Sequence, residues 1–392
     1  MKIYEIGTGY TPIPAQIAAA TESVVEELTK AFVHLGESVE ILDISTENRA
    51  PHNLPISEVK VPSIFTRSDV SLGIMHKLKR VVYSVALSFK LKQILKKESE
   101  RVVLHFHNQY NLFFFSKLVS EKLRKKAFIA YTNHNGFWSL PLSDAEPTLK
   151  KRYFQEIEAM KCSDVVFALN QNMKNNIQEY LNLNPDSVVK INNGVNTEIY
   201  RPLSEDEISE IKKSLGLAGK RVILQVGSVN ENKGQHRAVK MLEPLLKRDA
   251  SAVYAYVGEI VSAEYQELVQ KTAKELNLEN QVVYLNAVSP GEELNRLYNI
   301  ASATIFLSNY EAFGLVCVES LSAGTPVLVC ANTLLDFGAG CLRCSSQDAV
   351  EHFDEILSSG ESLRVTARKT AEDQYTWTKI AGDYQKSFPS CK

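Results

Sequence analysis

The sequence predicts an α/β protein built as two doubly wound domains. Three observations carry that expectation. At 392 residues the chain is longer than a single hydrophobic core ordinarily organises. Its 44% hydrophobic and 23% charged residues are the mixture of an ordinary globular protein. Short β-type apolar runs alternate with helical stripes twice over, once from the N-terminus and again from Arg221, the order that builds parallel sheets covered by helices.

Lys2 to Gly7 is the first β-like run. Thr21 to Leu35 then sets Val24, Val25, Leu28, Phe32 and Leu35 on one helical face, Gly36 stops the helix, and Val39 to Ile44 is the second strand. In the intervening loop, GTGYTPIPAQIAAATE, Gly7 and Gly9 supply a bend. Arg101 to Phe106 and Phe128 to Thr132 are further strands, and each is followed by a histidine, His107 in LHFHNQY and His134 in YTNHNGF. Ligands in open α/β sheets bind beyond the carboxyl ends of strands, where both imidazoles would lie. Lys151 to Met160 reads as one helix and Val165 to Leu169 as a strand, while Val188 to Gly194 ends in the turn signal Asn193-Gly194. The acidic run Ser204-Glu205-Asp206-Glu207 is a helix start with negative charge at its N-terminus, not a metal site.

The second domain repeats the pattern. Val222 to Val226 is a buried-type strand, Gly227 to Gly234 (GSVNENKG) its loop, and a helix follows from about His236. Val253 to Gly258, Gln281 to Leu285 and Ala303 to Leu307 are strands, separated by helices over Ala263 to Leu276 and Glu292 to Tyr298. The stretch YEAFGLVCVESLSAGTPVLV, Tyr310 to Val329, is a turn, a helix and the start of a strand. Between Ala312 and Cys330 its only charged residue is Glu319. A carboxylate on an otherwise apolar helix either pairs with a Lys or Arg from elsewhere or faces a ligand, and a sugar diol offers two O–H groups at a suitable separation. The helix N-terminus at Phe313, Gly314 and Leu315 leaves amide N–H groups free for a phosphate.

Glu311 and Glu319, with seven residues between them and followed by AGTPV, resemble the donor-site signature of retaining glycosyltransferases of family 4, which have the GT-B fold. The resemblance implies two Rossmann-like domains facing across a cleft: 1–195 for the acceptor, 196–370 for the nucleotide sugar, and a tail, 371–392, crossing back to the first and anchored by Trp377. It implies a nucleoside diphosphate sugar as donor substrate, with no cofactor and no metal. Residue by residue, Lys233 in the loop with Gly227 and Ser228 meets the diphosphate, Phe313, Gly314 and Leu315 cradle it, and Glu319 holds the ribose. Glu311 meets the sugar and His107 the reacting face, with His134 ranked behind His107 and placed, with Gly9, on the acceptor side. Departures from the family pattern are Ala18 and Ala19 for a Gly-Gly pair, Ser228 for Arg, Asn196 for Asp, Asn286 for a nucleobase-loop glycine, and ANTLLDFGAGCLRC for a glycine-rich turn ending in Glu. Lys220, Arg221 or Arg237 would have to replace the missing charge.

The net charge of −2 gives no case for nucleic acid. Charge is nevertheless uneven: Arg67 to Lys126 contains fourteen Lys or Arg against four Asp or Glu. Within it, 72–97 interleaves apolar and basic residues, the pattern of a helix that lies on an anionic membrane surface. No apolar leader and no run long enough to span a bilayer are evident, so a cytoplasmic location is expected, peripheral on the inner face of a membrane. Six scattered cysteines include Cys162, Cys317 and Cys330 in apolar contexts, expected as reduced core residues, and a lone Cys341–Cys344 CxxC. The function expected is transfer of a sugar to a hydroxyl of a lipid-linked or membrane-adjacent glycan. The alternatives are a synthase or phosphorylase with a small soluble acceptor, and a catalytically reduced GT-B protein that binds sugar nucleotide beside a partner.

Overall fold

Two parallel sheets organise the chain. The computed structural model describes residues 1–15, 19–66, 74–330, 335–345 and 347–389, with the backbone alone for Ile74 and His76. Ala18, residues 72–73 of the basic stretch and 331–334 of the turn after Cys330 lie outside the described residues.

The chain divides into one unit of Met1–Gly194 with Trp377–Lys392 and another of Val195–Thr376, so the return to the first unit begins at Trp377 and not at 371. In the first unit the strands are β1 (Ile3–Ile6), β2 (Val39–Ile44), β3 (Ile56–Val59), β4 (Val102–Phe106), β5 (Ala127–Asn133), β6 (Val165–Ala168) and β7 (Val188–Lys190). They form a seven-stranded sheet in the order β3-β2-β1-β4-β5-β6-β7. Its helices are α1 (Ala20–His34), α2 (Ile74–Lys97), α3 (Gln109–Leu118), α4 (Glu121–Arg124), α5 (Leu142–Arg152), α6 (Phe154–Met160) and α7 (Gln171–Leu181).

The second unit contains α8 (Glu205–Ser214), β8 (Arg221–Val226), α9 (Gln235–Arg248), β9 (Ala252–Val257), α10 (Ala263–Glu275), β10 (Val282–Tyr284), α11 (Glu292–Ile300), β11 (Ala301–Phe306), α12 (Leu315–Ser322), β12 (Val327–Val329), β13 (Cys341–Arg343) and α13 (Ala349–Gln374). Its sheet runs β10-β9-β8-β11-β12-β13. The last helix, α14 (Trp377–Ser387), belongs to the first unit and packs on α1. Trp377 lies against Gly194, where an added Cβ would fall 2.5 Å from the indole.

Local chemistry explains the element ends. Ser204 and Glu207 form a reciprocal capping box on α8, so the acidic run is a helix start. Asn170 caps α7 through its Oδ1, which accepts from Met173 N–H at 2.8 Å. Lys151 to Met160 is not one helix: Tyr153, at φ −122°, leaves helical geometry and separates α5 from α6. The short edge strands β3 and β13 carry too few residues for a period to register in the sequence.

The cysteines pair differently from expectation. Cys330 is not a free core thiol but is bonded to Cys344, with Cα atoms 4.8 Å apart, and Cys341 stays free. The cause is sheet register. β12 and β13 run parallel with Val329 opposite Arg343, so the next residue of each strand falls beside the other. Among the described residues no helix is long and apolar enough to cross a membrane.

Candidate functional sites

In each sheet the strand order reverses at one place, between β1 and β4 and between β8 and β11, and ligands of such sheets bind beyond the carboxyl ends there. The predicted residues fall at these two places.

In the second unit the chain leaves β8 at Gly227, whose φ is +146°. A Cβ on the neighbouring Gly258, at φ +144°, would sit 2.2 Å from the Gly227 carbonyl oxygen, so the two strand ends meet where only glycine fits. Asn286, which stands for a glycine, adopts the left-handed φ of +62° that asparagine tolerates. The loops after β8 and β11 are laced together by Asn232. Its carbonyl accepts from Asn309 N–H at 2.9 Å, and its side chain exchanges bonds of 3.2 Å with the Tyr310 backbone. That lacing brings Lys233 to Glu311: the ammonium and the Oε1 carboxylate oxygen form an ion pair, each side chain about 20% exposed. Ser308 Oγ donates to the same oxygen at 2.9 Å. Behind the lysine, Gln225 Nε2 donates to the Lys233 carbonyl at 2.6 Å while its Oε1 accepts from Tyr254 at 2.6 Å.

Ser228 adds no charge; its hydroxyl accepts from Asn230 at 2.9 Å. Lys220 and Arg221 do not replace the missing arginine, because they sit at the opposite end of β8, bonded to the Ala250 carbonyl and to Asp249. A six-residue strand separates those ends by about 20 Å. Arg237 is at the correct end, with its guanidinium against Gly234 and donating to the Leu307 carbonyl at 2.7 Å.

Helix α12 begins at Gly314, φ +94°, with no side-chain cap, so its first amides point outward from a terminus of positive partial charge. Phe306 and Phe337 pack beneath Gly314, where an added Cβ would lie a tight 3.2 and 3.3 Å from their rings at a φ that favours glycine. Among the described residues Glu319 has neither Lys nor Arg as its partner. It accepts from Tyr298 at 2.8 Å and from the Tyr200 hydroxyl. Burial pushes its carboxyl up to about 7, and the two hydroxyls pull the other way.

The first unit holds a different cluster. Glu5 of β1 lies opposite His105 of β4, both fully buried. Glu5 Oε1 is 2.9 Å from His105 Nδ1, and Oε2 is 2.8 Å from His107 Nε2. Nε2 of His105 meets Thr132 Oγ1 at 2.8 Å, which in turn meets the Tyr384 hydroxyl of α14 at 3.0 Å. Nδ1 of His107 is 3.1 Å from His134 Nε2. Burial alone would raise the Glu5 carboxyl, but His105 and His107 outweigh it and hold the group at about 2. Burial and then His105 push His107 down to about 4, and burial with His107 carries His134 well below the usual histidine range.

The two histidines differ in their surroundings. His107 is 3% exposed with both ring nitrogens engaged, whereas His134 is only partly buried. The loop carrying His134 is clamped by Glu156, which accepts from Tyr131, Asn135 and Trp138 at 2.8 Å each. Gly9, φ +74°, is pressed on the Tyr83 ring, where a Cβ would fall 2.1 Å away, so its close approach is to the protein's own core. Glu5 and Glu156 were missed. Glu5 had a signal, since a lone carboxylate in the apolar run IYEI poses the same problem as Glu319. Ligand atoms of Glu5, His105 and His107 also lie within 4.8 Å of one another, a composition compatible with a metal, although hydrogen bonds already account for the geometry.

Comparison with known proteins follows the same division of the chain. A family model described as Glycosyltransferase Family 4 matches residues 21–199, and one described as Glycosyl transferases group 1 matches 207–373. The chain belongs to the group 1 glycosyltransferases. Among its relatives within that family is an uncharacterized glycosyltransferase of Methanocaldococcus jannaschii, 27% identical over 229 residues, 55% of this chain and 57% of the relative. Another is a D-inositol 3-phosphate glycosyltransferase of Corynebacterium aurimucosum, 24% identical over 259 residues, 62% of this chain and 61% of the relative. The matched segment thus spans about three fifths of each relative's length. Among solved structures, Anabaena HepE in complex with UDP superposes with a TM-score of 0.72 at 16% identity, covering 99% of both chains. The two-sheet α/β architecture of this family member is the GT-B fold.

Proposed function

We propose that the protein is a retaining glycosyltransferase that moves a hexose from a nucleoside diphosphate to a hydroxyl. The observation that carries the reading is the Lys233–Glu311 ion pair at the β8–β11 reversal, in the same unit as the uncapped start of α12 and the half-buried Glu319. An arriving donor divides the pair: Lys233 takes a diphosphate oxygen and Glu311 a sugar hydroxyl. Arg237 and the amides around Phe313, Gly314 and Leu315 supply further positive potential, in place of the arginine that Ser228 replaces and with no metal invoked. Gly227 admits the diphosphate backbone-close, and Glu319 as a carboxylate accepts the ribose diol. Departure of the diphosphate is the step these positive groups assist. No covalent nucleophile is assigned.

The binding of UDP by the Anabaena structure supports a nucleotide in this fold, and a thermal-shift panel of UDP, GDP and ADP with UDP-glucose, GDP-mannose and ADP-glucose tests it here. A ligand at one hundred times its dissociation constant stabilises by about 2.7 kcal/mol. No shift with any of them sinks the donor assignment and moves the protein to the reduced, partner-dependent reading.

For the acceptor, α2 favours a lipid-linked or membrane-adjacent glycan. Met75, Leu78 and Phe89 are 52%, 45% and 54% exposed along it, among the exposed Lys77, Lys96 and Lys97. That is the composition of a surface meeting anionic lipid, each cation adding about 1 kcal/mol, and it implies a cytoplasmic protein peripheral to the membrane. Sedimentation with phosphatidylserine vesicles at low salt tests it, and failure to bind favours the second reading. That reading, a synthase with a small soluble acceptor, is supported by the inositol 3-phosphate in the name of the Corynebacterium relative.

A further inference from the structure

We infer that Glu5 is a positioning residue: it fixes the proton of His107 on Nε2, which leaves His134 presenting Nδ1, at the carboxyl end of β5, as a hydrogen-bond acceptor for a substrate hydroxyl bound by the first unit. The inference rests on the glycosyltransferase reading and extends it to residues that never touch substrate.

The argument follows the hydrogens. An ionised carboxylate only accepts, so the two ring atoms facing Glu5, His105 Nδ1 and His107 Nε2, both carry protons. A neutral His107 has then used its one hydrogen. Its Nδ1 must accept, and among the described residues the atom bonded to it is Nε2 of His134 at 3.1 Å, which must therefore be the N–H. A neutral His134 is left with a lone pair on Nδ1, for which no partner is found among the described residues. On the other side of the cluster His105 Nε2 lies 2.8 Å from Thr132 Oγ1, and Thr132 3.0 Å from the Tyr384 hydroxyl, and either direction of those bonds is compatible with a proton on His105 Nδ1. Burial keeps His107 and His134 neutral near pH 7. Glu156 fixes the backbone that follows His134 through Asn135 and Trp138, so the ring has little freedom to turn away. Glu5 thus sets a tautomer two residues removed, as a buried carboxylate commonly does for a histidine.

Two-bond 1H–15N correlation spectra of 15N-histidine-labelled protein test this without any substrate. The expected result is that His107 and His134 are both neutral with the proton on Nε2. In Glu5→Gln the amide NH2 presented to one ring should move His107, and with it His134, toward the Nδ1–H form. A wild-type His107 protonated on Nδ1 or on both nitrogens overturns the inference, as does a Glu5→Gln variant with both tautomers unchanged. One equivalent of zinc on elemental analysis also overturns it, because Glu5 and the rings would then be ligands.

Hydrolysis of UDP-glucose, with water as the attacking hydroxyl, supplies the second readout. Glu5→Gln and His134→Gln should each lower kcat about tenfold or more and the double variant little further, with the UDP thermal shift unchanged. Unchanged kcat in both overturns the role. If Glu5→Gln does not fold, the wild-type tautomers and His134→Gln still decide. A wild type with no UDP shift overturns the donor reading instead, a result the tautomer spectra do not depend on.

Discussion

The two reversal points solve opposite electrostatic problems. At β8–β11 two full charges, Lys233 and Glu311, lie partly open to solvent and hold each other. At β1–β4 one buried charge, Glu5, is held by imidazoles. An ion pair in contact with water gains little and so exchanges partners readily, whereas a charge that has lost its hydration must keep every hydrogen bond it has. The first arrangement suits residues that change partners when ligand binds. The second suits residues that must stay where they are.

The largest effect should come from separating the exposed pair. Lys233→Ala is expected to lower UDP-glucose turnover by about a hundredfold to a thousandfold, in the range of losing one preorganised charge stabiliser. Glu311→Gln should impair turnover while sparing UDP affinity, and the double variant should lose less than the two singles combined. Strict additivity in that cycle would mean that the pair is not coupled. Next comes the glycine contact beneath it. Gly258→Ala forces a Cβ against the Gly227 carbonyl at φ +144°, and should destabilise by about 2–3 kcal/mol or more in urea unfolding. Gly382→Ala, in open space on α14, should instead stabilise by about 0.5–1 kcal/mol.

A third effect is pH-dependent. In the proposed donor site Glu319 would accept the ribose diol only when ionised, and burial raises its carboxyl in the free protein to about 7. UDP affinity by calorimetry should therefore fall as pH drops through 7, approaching tenfold per pH unit below it. Without ligand the sign is opposite. A carboxyl raised from 4.5 to about 7 favours the folded state at acid pH, and that contribution is lost as pH rises through the same interval. A flat affinity between pH 6 and 8 would remove Glu319 from the ribose. A further change to make is Gln225→Leu, which leaves the buried Tyr254 hydroxyl and the Lys233 carbonyl each without its bond. It should destabilise by about 1–2 kcal/mol and weaken UDP by less than tenfold.

Much of this was legible in the sequence because it is local. Alternating strands and helices, the start of α12 at Gly314 and the isolation of Glu319 are properties of short segments. What stayed hidden depends on which strands become neighbours. Glu5 meets His105 and His107 only because β1 and β4 pair in one register, and Cys330 finds Cys344 only because β12 lies beside β13. Lys220 and Arg221 were plausible phosphate ligands in sequence, where they stand close to Gly227, but an extended strand carries them to the wrong end. A strand-end position places a ring near a ligand site without saying whether its nitrogens are already taken.

The route of the chain has a consequence during synthesis. The first unit is written in two instalments, with all of Val195–Thr376 between them, and its final instalment carries Tyr384 into the hydrogen-bond chain behind Thr132 and His105. On a ribosome making a few residues per second, the histidine half waits for the whole second unit to emerge. The second unit is a continuous segment whose ends, Val195 and Thr376, already pair with each other, so it can close on itself first. The half encoded first is thereby the half completed last.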